Sequence, residues 1–160
     1  MTIFNFTTTS NSSNWKIVDD VVMGGRSDGN FIINAEGHGE FSGKVSLENN
    51  GGFSSLHYYF DTITSDTYSK FVIKIKGDVK SYQFRVKDKQ SDRHSFIFEF
   101  TTTNDWQTIE IPFSEMHATF RGRRLDIPNF QGKQMEEIAF LIGNKKQETF
   151  KLIIDSISLK

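Results

Sequence analysis

Cysteine is absent from this chain of 160 residues. It therefore has no disulfide framework, no thiol nucleophile and no thiolate metal site. Such usage fits a cytoplasmic protein. Excess charge is missing too. The formal net charge is −1, which gives no electrostatic reason to expect nucleic acid or an anionic membrane as partner. The apolar runs are far too short to span a bilayer, so no transmembrane segment is expected. The stretch 1–14 is rich in Thr, Ser and Asn and carries no Lys or Arg. It has neither the cationic start and apolar stretch of a secretory signal nor the arginines of a mitochondrial transit peptide. One domain over residues 1–160, cytoplasmic in location, is the expectation.

Catalytic fingerprints are missing as well. His38, His57, His94 and His117 stand far apart, without His-x-x-x-His or Glu-x-x-His spacing. No P-loop Lys-Ser is present, and the Gly25-Arg26-Ser27-Asp28-Gly29 spacing lacks the helix that a nucleophile elbow requires after it. The glycines of 24–29 invite a phosphate-cradle reading, but Phe31-Ile32-Ile33 reads as strand where a helix should begin. Asp19, Asp20, Asp61, Asp66, Glu99, Glu110 and Asp155 are the carboxylates from which a glycosidase pair could be drawn. Sequence separation does not bring any two of them to one cleft. Glu99 and Arg85 lie on the polar faces of successive predicted strands, and a cross-strand ion pair is the plainer expectation. Asp155 could hold calcium with loop carbonyls or cap local amides, the commoner use. No nucleophile–base pair, metal-ligand spacing or cofactor fingerprint can be assembled. The reading is a non-enzyme without a cofactor.

What is present is a period of two. Phe71, Ile73 and Ile75 alternate with Val72, Lys74 and Lys76; Tyr82, Phe84 and Val86 alternate with Gln83, Arg85 and Lys87. Phe96, Phe98 and Phe100 follow the rule, as do Ile109, Ile111 and Phe113. Alternation of this kind predicts antiparallel strands with one face in the core. Gly-Asp, Lys-Asp or Asn-Asp between them, at about a dozen residues, suits a sandwich or barrel. The fold class is all-β, an antiparallel β-sandwich. Phe71, Ile73, Tyr82, Phe84, Phe96, Phe98, Ile109 and Ile111 should face inward, and the 16 phenylalanines must supply much of the core. The continuous run 137–142 suits a strand covered on both faces. From Phe150 to Leu159 the apolar parity changes across Asp155-Ser156, which predicts a bulge. Between Phe113 and Gln134 the pattern dissolves, and a long irregular connection is expected.

Aromatic and basic residues offer binding surfaces. Trp15, Trp106, His57, Tyr58 and Tyr59 flank predicted turns, although core packing is the better expectation for each Trp. Arg121-Gly122-Arg123-Arg124 is either a solvated loop or a clamp for an acidic patch or phosphate.

Two glycine-centred segments are more specific. Residues 15–30 read WKIVDDVVMGGRSDGN and residues 41–55 read FSGKVSLENNGGFSS, each with a Gly-Gly pair. Adjacent glycines let a backbone take positive φ or approach another segment closely. Each pair is followed closely by serine, which can satisfy local N–H groups. The expectation is two loops held against each other, with Asp20 or Ser27 tying down amides.

The ordered string Trp15, Asp20, Met23-Gly24-Gly25-Arg26-Ser27 and Gly51-Gly52-Phe53-Ser54-Ser55 resembles the signature of the complex I intermediate-associated protein 30 family. The likeness continues through Gly77-Asp78 before Tyr82-Gln83-Phe84, Trp106 leading to Pro112-Phe113, Arg121-Gly122, and a closing strand Phe150 to Ile157. Val79 departs from it, standing where a second glycine is common. The resemblance implies a galactose-binding-domain-like jelly roll. It also implies a role in assembling respiratory complex I, by binding an intermediate rather than by catalysis. The binding surface implied comprises Asp20, Met23, Gly24, Gly25, Arg26, Ser27, Gly51, Gly52, Phe53 and Arg121. A protein partner such as a respiratory complex assembly intermediate is expected, bound by a monomer acting as a chaperone-like module. The alternative is a carbohydrate-binding module of the galactose-binding-like type.

Overall fold

The computed structural model describes residues 1–20, 25–48 and 51–160. Its strands are β1 (Thr2–Asn5), β2 (Trp15–Asp19), β3 (Asp28–Ile33), β4 (Gly39–Val45), β5 (Ser54–Thr64), β6 (Lys70–Lys76) and β7 (Ser81–Lys87). They continue with β8 (Ser95–Thr101), β9 (Trp106–Pro112), β10 (His117–Phe120), β11 (Arg123–Arg124), β12 (Gln134–Ile142) and β13 (Glu148–Leu159). One sheet runs β3-β4-β13-β6-β9, with β1 also on β13; the other runs β11-β10-β8-β7-β12-β5-β2. Every pairing is antiparallel. The result is the all-β sandwich that the alternation predicts.

The alternate apolar positions form the layer between the sheets. Phe71, Ile73 and Ile75 of β6 are fully buried, as are Tyr82, Phe84 and Val86 of β7. Phe96 and Ile111 are buried beside them, while Phe98 and Ile109 face the same core from half-buried positions. Phe71 meets Phe84 edge-on at 4.8 Å and Phe113 at 5.1 Å. Each ring that leaves water contributes about 2–3 kcal/mol. Trp15 is also in this layer, stacked on Tyr58 at 4.6 Å.

The apolar run of β12 is covered fully on one face and in part on the other: Ile138, Phe140 and Ile142 enter the core, while on the outer side Ala139 is buried and Leu141 half-buried. In β13 the register against β6 shifts between Ile154 and Ser156, which is the bulge that the change of parity announces. The 12 residues of β13 let it pair with β4 along its first half and with β1 along its second.

Three expectations need correction. The segment after Phe113 is not irregular throughout. It holds a 3-10 turn (Phe113–Glu115), β10 and β11, and Arg121-Gly122 is the two-residue turn of the β10–β11 hairpin. Both residues have positive φ, 50° and 77°, as a type I′ turn requires. Second, His57, Tyr58 and Tyr59 do not flank a turn but lie within β5, paired with β12 on one side and β2 on the other. Third, Arg85 and Glu99 are not directly opposed. Gln83 faces Glu99, and Arg85 instead donates to Gln83 Oε1 at 3.2 Å.

Val79 is a strained departure. It has φ 70° in an exposed turn, a conformation a β-branched side chain tolerates poorly. Val79→Gly should stabilise the fold by about 0.5–1 kcal/mol, because relieved strain outweighs the extra freedom of the unfolded chain. A thermal melt measures the sign; a lower melting temperature would refute it.

Candidate functional site

Two aspartates at the end of β2 build the site's rim. Asp19 Oδ2 accepts from the Gly29 amide at 2.8 Å, and Oδ1 accepts from Ser54 Oγ. One carboxylate thereby ties β3 to β5. Asp20, only 1% exposed, accepts four bonds. Ser27 N donates to Oδ1 at 2.9 Å; Ser27 Oγ (2.6 Å), Gly52 N (2.6 Å) and Phe53 N (3.1 Å) all donate to Oδ2. Ser27 Oγ also accepts from Ser46 N at 3.0 Å. Burial raises the Asp20 pKa, but bonds from the Ser27 side chain and the Gly52, Ser27 and Phe53 amides outweigh it and hold the carboxyl below its usual value.

The glycines make this knot possible. A Cβ on Gly25 or on Gly51 would overlap the Asp20 carboxylate. At Gly25 the requirement is space rather than positive φ; Gly52 is the position that needs the φ, at 151°. The two loops are therefore held together through Asp20 and Ser27, as the glycine–serine pattern predicts. Asp19 and Asp20 are taken up by backbone amides and serine hydroxyls. Met23 and Gly24 lie outside the described residues.

Behind this rim a cleft of about 780 Å³ opens on the outer face of the seven-stranded sheet. Gly51, Gly52, Phe53 and Leu47 form one lip, and Phe120, Arg121 and Gly122 of the hairpin contribute another part of the wall. The floor is the polar side of the strands: Ser55 and His57 of β5, Leu141 of β12, and Gln83, Arg85 and Lys87 of β7. Of the residues singled out from sequence, Gly51, Gly52, Phe53 and Arg121 line the cleft. Asp20, Gly25 and Ser27 are buried behind it, and Arg26 is exposed but not on the lining. Sequence reasoning missed Gln83, Arg85 and Lys87 as site residues, and considered His57 only as a ring beside a turn. Their alternation on β5 and β7 marks one face, but not which strands lie beside it.

The floor holds a hydrogen-bonded series that sequence reading did not assemble. Ser55 Oγ is 2.9 Å from His57 Nε2, and His57 Nδ1 is 3.2 Å from Glu137 Oε2. Serine, histidine and a carboxylate in this order suggest a nucleophile with its base. The polarity is wrong for that. Ser55 Oγ donates its one proton to the Val18 carbonyl at 2.5 Å, which takes it away from His57 Nε2. A general base must instead receive the serine proton there. The arrangement serves structure: Ser55 joins β5 to the edge strand β2, and His57 meets the buried Glu137. Burial depresses the Arg85 pKa, while the Glu137 carboxylate pulls it back up. Glu137 thereby supports a cation on the cleft floor.

Other candidates are elsewhere. Trp106 is 38% exposed on the six-stranded sheet, with Lys74 Nζ 5.7 Å from its ring centroid and the His38 ring 4.8 Å away. Asp155 Oδ1 is 3.3 Å from His38 Nε2. Among the described residues no three His, Cys, Asp or Glu side chains gather as a metal would require. No helix in the described residues is long and apolar enough to cross a membrane.

A family model described as complex I intermediate-associated protein 30 matches residues 4–154. No curated protein matches the chain. Among solved structures it is similar to the family 11 carbohydrate-binding module of cellulosomal cellulase Lic26A-Cel5E of Clostridium thermocellum. The identity is 19% and the TM-score 0.73, over 98% of this chain and 92% of that one. The same kind of module in complex with a β-1,3-1,4-mixed-linked tetrasaccharide is 19% identical, with TM-score 0.70 over 97% and 93% of the chains. The agarase AgWH50C is 10% identical with TM-score 0.60; the match takes in 100% of this chain and 24% of that one. At these identities the likeness is one of fold.

Proposed function

Because the chain belongs to the complex I intermediate-associated protein 30 family, we propose that it is a non-catalytic protein-binding module of the assembly-factor kind. Its recognition surface is the cleft, and its partner is a respiratory complex assembly intermediate. A single cytoplasmic domain that works as a monomer and handles its partner as a chaperone would completes the reading. The observation that carries it is the use made of the family's signature residues. Asp20 and Ser27 bond to each other and to the loop amides, and these bonds shape the lip formed by Gly51, Gly52 and Phe53. A large opening with aromatic and arginine residues at its edge suits recognition.

Affinity capture from native lysate tests this. Wild-type protein should retain respiratory-complex subunits, and Phe53→Ala combined with Arg121→Ala should retain them poorly at unchanged melting temperature. Arg26→Ala, off the lining, should capture normally. Purified protein should not hydrolyse activated esters or glycosides. Ester hydrolysis lost on Ser55→Ala would establish an enzyme instead, and selective retention of mixed-linked β-glucan would establish a carbohydrate module.

A further inference from the structure

The cleft is not uniform. The half built on β2, β5 and β12 supplies Val18 and Leu141 beside Ser55 and His57, with Phe53 and Leu47 at its lip. The half built on β7, β8 and β10 supplies Arg85, Lys87, Arg93 and Arg121, with Phe120 as its apolar member. Lys145, just beyond β12, adds a cation at the end of the apolar half. Among the described residues none of these cations forms an ion pair with a carboxylate. Arg85 donates to Gln83, and Lys87 donates to the Asp92 carbonyl at 2.8 Å. Both hydrogen-bond acceptors are neutral, and the one carboxylate that acts on Arg85 is the buried Glu137. The adjoining hollow, lined by Arg85, His117 and Arg124 with Glu99, extends this basic side. Nothing in the net charge of −1 anticipates such a concentration.

We infer that the cleft seats an extended acidic protein segment in which Asp or Glu alternates with apolar side chains. This rests on the protein-binding reading proposed above and specifies the chemistry of the partner. An extended chain sends successive side chains to opposite sides. Such a segment can set apolar groups against Val18, Leu47, Phe53 and Leu141 while its carboxylates meet Arg85, Lys87, Arg93 and Arg121. Beside the rings of Phe53 and Phe120, the apolar lining is aliphatic (Val18, Leu47 and Leu141), which favours a protein over an acidic sugar that stacks on flat rings. Charge complementarity of this kind selects partners and speeds encounter, and it weakens with salt.

The probe is a short fluorescein-labelled peptide alternating Leu and Glu, titrated with the full chain by fluorescence anisotropy. Parallel titrations use its Glu-to-Gln counterpart and unlabelled polygalacturonate as a competitor. The acidic peptide should bind, with affinity falling as salt rises, and the Gln peptide at least about tenfold more weakly. Arg93→Glu with Arg121→Glu, both on exposed residues, should weaken the acidic peptide by at least about tenfold. Arg93→Gln with Arg121→Gln should give an intermediate loss, and a thermal melt establishes that each variant is folded. Equal binding of the two peptides, no binding of either, or displacement by polygalacturonate as effective as by peptide would overturn the inference. Lysate capture that survives high salt and the charge reversal would overturn it too, while leaving the protein-binding reading intact. Peptide binding without respiratory-complex capture would uphold the inference and remove the proposed partner.

Discussion

Asp20→Ala is expected to cost about 3 kcal/mol or more of folding stability, because it leaves several buried donors without an acceptor. Gly52 and Phe53 lose the bonds that hold their amides, and Ser27 loses both of its bonds to the carboxylate. Asp20→Asn should be nearly as costly, since one of its two terminal groups donates where acceptance is needed. The pH dependence has a definite sign. The folded pKa of Asp20 lies below the unfolded value near 3.8. Its contribution is therefore present above that value and is lost as pH falls through the folded pKa. Denaturant titrations from neutral pH into the acid range should show wild type losing stability below about pH 4 and Asp20→Asn losing less. Parallel acid profiles would show that the carboxylate is not what holds the loops.

Gly25→Val should be comparably severe, at about 3 kcal/mol, for a different reason. The new side chain must occupy the space of the Asp20 carboxylate, and no rotamer avoids its own Cβ. The two effects share one cause and so should not add. In an Asp20→Ala background the carboxylate overlap is gone and only the residue-20 Cβ, 2.9 Å away, remains, so Gly25→Ala should cost less than in wild type, a coupling of about 1 kcal/mol in a double-mutant cycle. Gly122→Ala is the contrast. Nothing lies within 4 Å of a Cβ there, so only its φ of 77° is penalised, at about 1 kcal/mol. Additivity between Asp20 and Gly25 would contradict the shared knot.

Much of this architecture is legible in the sequence, and the limits have a physical origin. Alternation in β6, β7, β8 and β9 marks the inward residues because side chains repeat every two positions. The parity change at Asp155-Ser156 is a local event and reads correctly as a bulge. The glycine–serine pattern gives the loop contact, because close approach needs a missing Cβ. Strand order is another matter. The neighbours of β7 are β8 and the much later β12, and β12 in turn lies beside β5. Arg85 and His57 therefore share one floor across Ala139, a proximity that no short-range spacing encodes. The same long-range pairing brings Ser55 and His57 to Glu137, whereas the register of the adjacent β7 and β8 sets Gln83 rather than Arg85 opposite Glu99. The hairpin around Arg121-Gly122 was legible in principle from its Arg-Gly turn between short apolar and basic strands. Its four-residue and two-residue strands are too short to display a period.

The central claim is that the cleft is where this protein meets a protein partner. Placing a photoreactive phenylalanine analogue at Leu141, on the apolar side of the floor, and irradiating in native lysate tests it most directly. The same analogue at Trp106, on the other sheet, is the control. The account predicts a crosslink from position 141 to a respiratory-complex protein, at a segment rich in Asp and Glu, and none from position 106. Equal labelling from both positions, or labelling from 106 alone, would contradict it.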